Sequence, residues 1–389
     1  MTRTRLVWSA GVALALVALV LAILVANALP LGYDSRAYWL AARHLIDGAP
    51  VFPAPDATLG ARDEFHYLPI VALPFVAMLP LPIGAFVWVW LAVQLALAIA
   101  IGIALIRTLP ASLRPWAAAG YVFFLPTVLE VTLGNLDLVS LALALLAWHW
   151  RTRRNASAVA LAAAVGIKFL PAILLPFYLA AGRVGIVARA VAVGIVGLLV
   201  TLPLVWQPTL DYIALIPRYA DTAWVRIIVQ RDEPPLLATI FWSDAFPLVL
   251  ALAALALAIV AGRMARREPE RETEWHHLAL ALSPYLSPFG FIWTTFLITT
   301  LPLFAVALAR AWALDGPRRA IALALLALCW FLLQLVQLHD LMPILWHLVG
   351  VLGLVAISLA LLLNRSLSLA RWTRSSRVNR SSLDRSQSG

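Results

Sequence analysis

Three observations predict that this 389-residue chain is an all-α polytopic membrane protein. It is 63% hydrophobic and 12% charged, with a mean hydropathy of +0.92, whereas soluble domains run at about 45–50% apolar and 25% charged. The apolar residues form long runs separated by short charged or Pro/Gly-rich interruptions. The basic residues collect in alternate interruptions, the pattern that sets orientation in a bilayer.

From Leu6 to Leu29 the chain is almost uncharged, about the 20 residues that cross a bilayer core and longer than the core of a signal peptide. A retained first helix is therefore expected. Further apolar segments follow at about 69–106, 116–133, 136–150, 156–167, 169–181, 185–205, 236–262, 275–288, 290–309, 320–338 and 341–363, giving a bundle of about twelve. The second should open with a surface stretch broken by Pro74, Pro80 and Pro82 before its span begins. The two flanking Lys168 are too short to cross upright and read as a hairpin covered by neighbours. Residues 1–363 thus form one transmembrane domain, and the Ser- and Arg-rich tail 364–389 reads as a disordered cytoplasmic arm attracted to anionic lipid.

Alternating the segments leaves only Arg36, Arg43, Arg62, Lys168, Arg218, Arg226 and Arg231 of the 29 basic residues on one side. The positive-inside rule makes that side extracytoplasmic, with both termini cytoplasmic. Most acids fall outside, so the working face is expected there. Two outer loops are long, 30–68 and 206–235. In the first, Asp34 or Ser35 is expected to cap a helix that Gly48 stops after Asp47. Its Tyr38, Trp39, Leu40, Leu45 and Ile46 oppose Arg36, Arg43 and Asp47, as in a helix lying in the interface.

The net charge of +10 is scattered over many short loops, which argues for membrane orientation and against nucleic acid as a partner. The single Cys329 excludes an intramolecular disulfide. No Walker loop, zincin motif or dinucleotide fingerprint occurs, so no soluble cofactor is expected, and a divalent cation is left open. Asp34, just beyond the first span, is a candidate general base, with a helix cap as the plainer alternative. Lys168 is the only lysine and sits between two short apolar segments. It suits a point charge held for a phosphate, against the alternative of a snorkelling side chain. Asn135 and Asp137 form a polar notch suited to sugar hydroxyls or to an ordinary turn. His66 and His339 are candidate partners for an acceptor or phosphate.

The stretches Tyr33-Asp34-Ser35-Arg36-Ala37-Tyr38-Trp39, Phe65-His66-Tyr67-Leu68-Pro69, Gly134-Asn135 and Gly166-Ile167-Lys168-Phe169-Leu170-Pro171, in this order and spacing, resemble glycosyltransferase family 87. The likeness covers about the first 180 residues in motif and the rest in hydropathy only. It implies a GT-C-like bundle and a hexosyltransferase that uses a polyprenyl-phosphate sugar, mannose in the family, to glycosylate an envelope glycolipid or glycan by inverting single displacement. On that reading Asp34 is the base, Lys168 clamps the donor phosphate with help from Arg218, Arg226 or Arg231, and Tyr33, Tyr38, His66, Tyr67, Asn135, Asp137 and His339 bind substrate. The chain departs from the family after Ser283-Pro284, where no histidine follows through Trp293. A lipid-sugar flippase or transporter would call for internal repeats, which are not visible. A noncatalytic envelope-assembly subunit would leave Asp34 and Lys168 dispensable.

Overall fold

The computed structural model describes residues 31–52, 65–220, 245–267, 271–283, 294–334 and 341–363, and all regular structure among them is helical. The first apolar segment and the basic tail lie outside these residues. Helix α1 (Tyr33–Asp47) leads through a 3₁₀ turn (Pro69–Ala72) and a helical turn (Leu73–Val76) into α2 (Ile83–Arg107). Then come α3 (Arg114–Val122), α4 (Leu125–Leu133), α5 (Asp137–His149), α6 (Arg154–Ile167), α7 (Leu174–Ala180) and the long α8 (Val184–Ala220). The remainder comprises α9 (Ala245–Arg267), α10 (Arg271–Leu282), α11 (Leu301–Trp312), α12 (Gly316–Leu332) and α13 (Leu341–Leu363).

Three helical stretches among the described residues are long and apolar enough to cross a membrane alone: Ile83–Arg107, Val184–Ile216 and Leu248–Arg267. A fourth span forms if α3 and α4, bent by 48° at their junction, are taken together. Most of the other expected segments appear as shorter apolar helices. At 13 and 14 residues, α5 and α6 rise only about 20 Å each. They pack on one another, α6 also packs on α8, and α7 packs on α9. The outer faces of the long helices are apolar: Val200 is 70% and Leu204 69% exposed on α8, and Trp88 is 66% exposed on α2. In water such faces would be an aggregation hazard, and acyl chains remove the penalty.

The helix expected in the first long loop is present, and Gly48 ends it in the left-handed conformation with its N–H on the His44 carbonyl. Its start differs from expectation. Gly32 occupies the N-cap in the left-handed region, no side chain caps the helix, and Ser35 Oγ instead donates to the Gly32 carbonyl at 2.7 Å. Asp34 therefore lies in the first turn with its carboxylate uncommitted to capping. One face of α1 is packed inward, through Ser35, Ala37, Tyr38, Ala41 and Ala42, and Tyr38 is only 1% exposed.

The second long outer loop also differs from expectation, because its first part, through Ala220, continues α8. Val205 interrupts that helix with φ −121° and ψ 16°. Pro208 explains the break, since it has no N–H for the Leu204 carbonyl and its ring crowds that group. Thr209 Oγ1 takes up the neighbouring Val205 carbonyl at 2.6 Å. The rest of that loop lies outside the described residues.

Buried apolar side chains form two clusters. The larger joins the C-terminal part of α2 to α4–α13, including the start of α8 through Ile186, Val187 and Ala190; the smaller gathers Tyr38, Phe52, Phe65, Phe75, Phe86 and neighbours around α1. Leu136 belongs to the smaller and Leu138 to the larger. The turn between α4 and α5 thus sits where the two meet. Charge is segregated along the bundle: Lys168 and Asp137 lie at one end of the α5–α6 hairpin, and Arg151, Arg153 and Arg154 at the other. Arg183 joins the second group, its guanidinium 5.3 Å from the Trp148 ring centre.

Single cysteines at the exposed Arg36 and Phe169 positions, in a Cys329→Ser background, should react with an impermeant thiol reagent in intact cells, while Arg153→Cys and Arg267→Cys should not. Labelling of the second pair alone would invert the orientation.

Candidate functional site

The turn Gly134–Leu136 is built by close approach. Gly134 ends α4 with φ +71°, and a Cβ there would lie 3.0 Å from Ser35 Cβ and 3.1 Å from Trp90 Cδ1. Only glycine meets both demands at low cost. Trp90 Nε1 donates to the Gly134 carbonyl at 2.7 Å, the Gln94 side-chain amide donates to the Asn135 carbonyl, and Gly32 N–H donates to the Thr132 carbonyl at 2.8 Å. Helices α1, α2 and α4 are tied together at this point.

Asn135 is the hub. Its Oδ1 accepts from the Leu136 N–H at 2.6 Å, from Tyr67 Oη at 2.8 Å and from Lys168 Nζ at 3.3 Å. Its amide also hydrogen-bonds Asp34, and with Oδ1 engaged as acceptor that bond is donated by Nδ2. Tyr38 Oη lies 3.3 Å from Tyr67 Oη, which extends the chain of hydroxyls back to α1. Burial holds both phenols well above their ordinary range, so each stays a donor.

Lys168 follows α6 in extended conformation. Its ammonium forms an ion pair with Asp137 and lies 5.7 Å from the Tyr67 ring centre. The side chains of Lys168 and Asp137 are only 9% and 1% exposed. This differs from the expectation that a phosphate, rather than any protein acid, is the partner of Lys168, and Asp137 meets the ammonium where a sugar hydroxyl was expected. The reason lies in desolvation, because two opposite charges taken out of water 31 residues apart in sequence stabilise each other where either alone would be costly.

Asp34 is partly buried and reaches the same group, feeling Lys168, Asp137 and Asn135. Its pKa is pushed up to about 6, chiefly by burial and further by the Asp137 charge, with Lys168 and the Asn135 bond opposing the rise. Such a carboxyl is ionised at neutral pH yet far more basic than an exposed aspartate, as proton abstraction from a hydroxyl requires.

Asp34, Tyr38, Tyr67, Asn135, Asp137 and Lys168 are thus brought together. Tyr33 opens α1 half-buried, and His66 is exposed beside Tyr67. Arg218 falls near the end of α8, three residues after Leu215, which is buried in the aromatic cluster. Arg226, Arg231, His339 and the 284–293 departure lie outside the described residues. Two buried polar residues went unnoticed as site components, Gln94 on α2 and Glu130 on α4. The available signal was their type: each is an isolated polar group in an apolar helix, which marks a functional position by default.

Removing one partner of a buried ion pair costs about 3–5 kcal/mol. Lys168→Ala and Asp137→Ala should each lower thermal stability in detergent by that order, and Lys168→Met with Asp137→Leu should recover part of it. Single variants as stable as the parent would show that the pair is not dehydrated.

The family model of glycosyltransferase family 87 matches residues 65–273, which is 209 of the 389. The matched stretch contains Tyr67, Glu130, Asn135, Asp137 and Lys168 and begins after Asp34. No curated protein and no solved structure matches the chain. With more than half its length matched and its long lipid-facing helices, the chain belongs to glycosyltransferase family 87 and is a membrane glycosyltransferase.

Proposed function

We propose that the protein transfers a hexose, mannose by family resemblance, from a polyprenyl-phosphate donor to an envelope glycolipid or glycan at the extracytoplasmic face of the plasma membrane. The reaction is an inverting single displacement within a GT-C-like transmembrane domain. Asp34 removes the proton from the acceptor hydroxyl as its oxygen attacks the anomeric carbon, and the bond from that carbon to the phosphate oxygen breaks on the opposite face. Polyprenyl phosphate leaves with the bonding electrons. The observation that carries this reading is the placement of the Asp34 carboxyl, with a pKa pushed up to about 6, beside the Asn135 amide and the Lys168 ammonium. No cofactor enters the step, because a monophosphate ester is already a competent leaving group.

The leaving phosphate needs positive charge. Lys168 supplies one, shared with Asp137 and set among the carboxyls of Asp34 and Glu130. One ammonium among three acids is a weak attractor for a further anion, so the clamp needs help. Arg218, less than one helical turn beyond the packed Leu215, is the nearest helper in sequence, with Arg226 and Arg231 following it. Tyr67 and Asn135 orient sugar hydroxyls; Tyr33, Tyr38, His66 and His339 complete the substrate set, while Asp137 stays with Lys168.

Asp34→Asn keeps the size of the side chain and removes the base. Turnover with a polyprenyl-phosphate hexose and a lipid acceptor, in nanodiscs, should fall about 10²–10⁴-fold with folding intact. A rate near that of the parent would sink the assignment and favour a flippase or a noncatalytic subunit. The pH profile is a second check. Asp34 works ionised, so kcat/KM, which reports the unliganded enzyme, should fall tenfold per unit on an acid limb that bends near pH 6 and level off above it, in keeping with the position of its pKa. An acid limb near pH 4 would point to an exposed, unperturbed carboxylate instead.

A further inference from the structure

Glu130 is fully buried near the end of α4, and the step above makes no use of it. Its backbone carbonyl accepts the N–H groups of Gly134 at 3.0 Å and Asn135 at 3.2 Å. Its side chain reaches past the turn, where Oε1 accepts the Leu138 N–H of the first turn of α5 at 3.1 Å. One residue thereby holds the end of α4, the turn and the start of α5. The residue fixed between those attachments is Asn135, whose side chain contacts Asp34, Tyr67 and Lys168. The Oε2 atom is buried with no hydrogen-bond partner among the described residues, so this carboxyl is retained at a desolvation cost that packing alone does not explain.

We propose that Glu130 is a positioning residue, its side-chain staple across the Gly134–Leu136 turn setting the Asn135 amide against Asp34. It touches no substrate and acts through Asn135. The proposal rests on Asp34 being the base. The groups facing Asp34 are Lys168 after α6, Asp137 on α5, Glu130 on α4, Tyr38 on its own helix and Tyr67 before the 3₁₀ turn. Lys168 and the Asn135 bond both favour the ionised carboxylate, so loosening that bond should make Asp34 easier to protonate.

The test is the pH dependence of kcat/KM for Glu130→Gln and Glu130→Leu in nanodiscs, with Asp34→Asn alongside. Glutamine keeps an acceptor oxygen for Leu138 N–H and should leave the acid limb where it is in the parent. Leucine deletes the acceptor and should move the limb to higher pH by about half a unit or more, as expected for weakening one hydrogen bond to a charged group. If Glu130→Leu does not fold, Glu130→Met, unbranched and close to glutamate in length, removes the same acceptor and should show the same displacement. An unmoved limb in folded Glu130→Leu or Glu130→Met, with Asp34→Asn inactive, overturns the staple and leaves the base assignment standing. A limb displaced equally in Glu130→Gln shows that charge rather than the hydrogen bond matters, and also overturns it. Full activity in Asp34→Asn overturns both readings.

Discussion

A single ammonium set among buried carboxyls governs the arrangement of this protein. Lys168 is paired with Asp137, and Asp34 and Glu130 lie within electrostatic reach of the same charge. Such a group survives desolvation only if opposite charges and hydrogen-bond donors reach it together. That demand brings the segment after α6 to the start of α5 and the first turn of α1 to the turn before α5. The Asn135 side chain, an acceptor on one side and a donor on the other, reconciles the three. Polar chemistry and helix packing are therefore one problem here, because any shift of the α4–α5 turn would expose a charge to the apolar core.

Helix length and lipid provide the second constraint. Helices α5 and α6 are too short to span about 30 Å of hydrocarbon; the end with Arg153 and Arg154 is exposed, whereas the end at Leu136 and Asp137 is buried in the bundle. A polar turn between α4 and α5 and an extended Lys168 after α6 are admissible at such a place, since irregular backbone at membrane depth is tolerated when protein surrounds it. The same shortness puts Arg151, Arg153 and Arg154 at the opposite end of the hairpin from the site. The polar cluster and the arginines thus occupy the two ends of one supersecondary unit.

The aromatic cluster around α1 completes the site. Tyr38 stacks on Phe75 with ring centres 5.1 Å apart, Phe75 meets Trp90 edge-on at 4.9 Å, and Phe52 lies 5.4 Å from Tyr212 on α8. These contacts fasten the first outer helix to α2 and to the continuation of α8 beyond its kink. Asp34 is consequently carried on a packed helix even though it belongs to a connection between apolar segments, and Tyr212 and Leu215 of α8 join the same aromatic cluster. The proposed base role would need a fixed distance to a substrate hydroxyl, which a free loop would not provide.

Much of this was written in the chain itself. Hydropathy and charge bias foretold a polytopic helical protein, Gly48 marked the end of α1, and the spaced motifs around Asp34, Tyr67, Asn135 and Lys168 pointed to the family, because these depend on local composition and on neighbours close in sequence. Other features required the tertiary structure. A first-turn aspartate and a helix cap read alike until Gly32 is seen to occupy the cap, and a proline-flanked stretch reads as loop until the helix is seen to bend through Val205. The partner of Lys168 was hidden for the same reason: Asp137 is 31 residues away in sequence, and desolvation selects among candidate partners only once the chain is packed. Glu130 shows the limit most clearly, since an acid in an apolar helix announces that it matters, while only the fold reveals the Leu138 N–H that it holds.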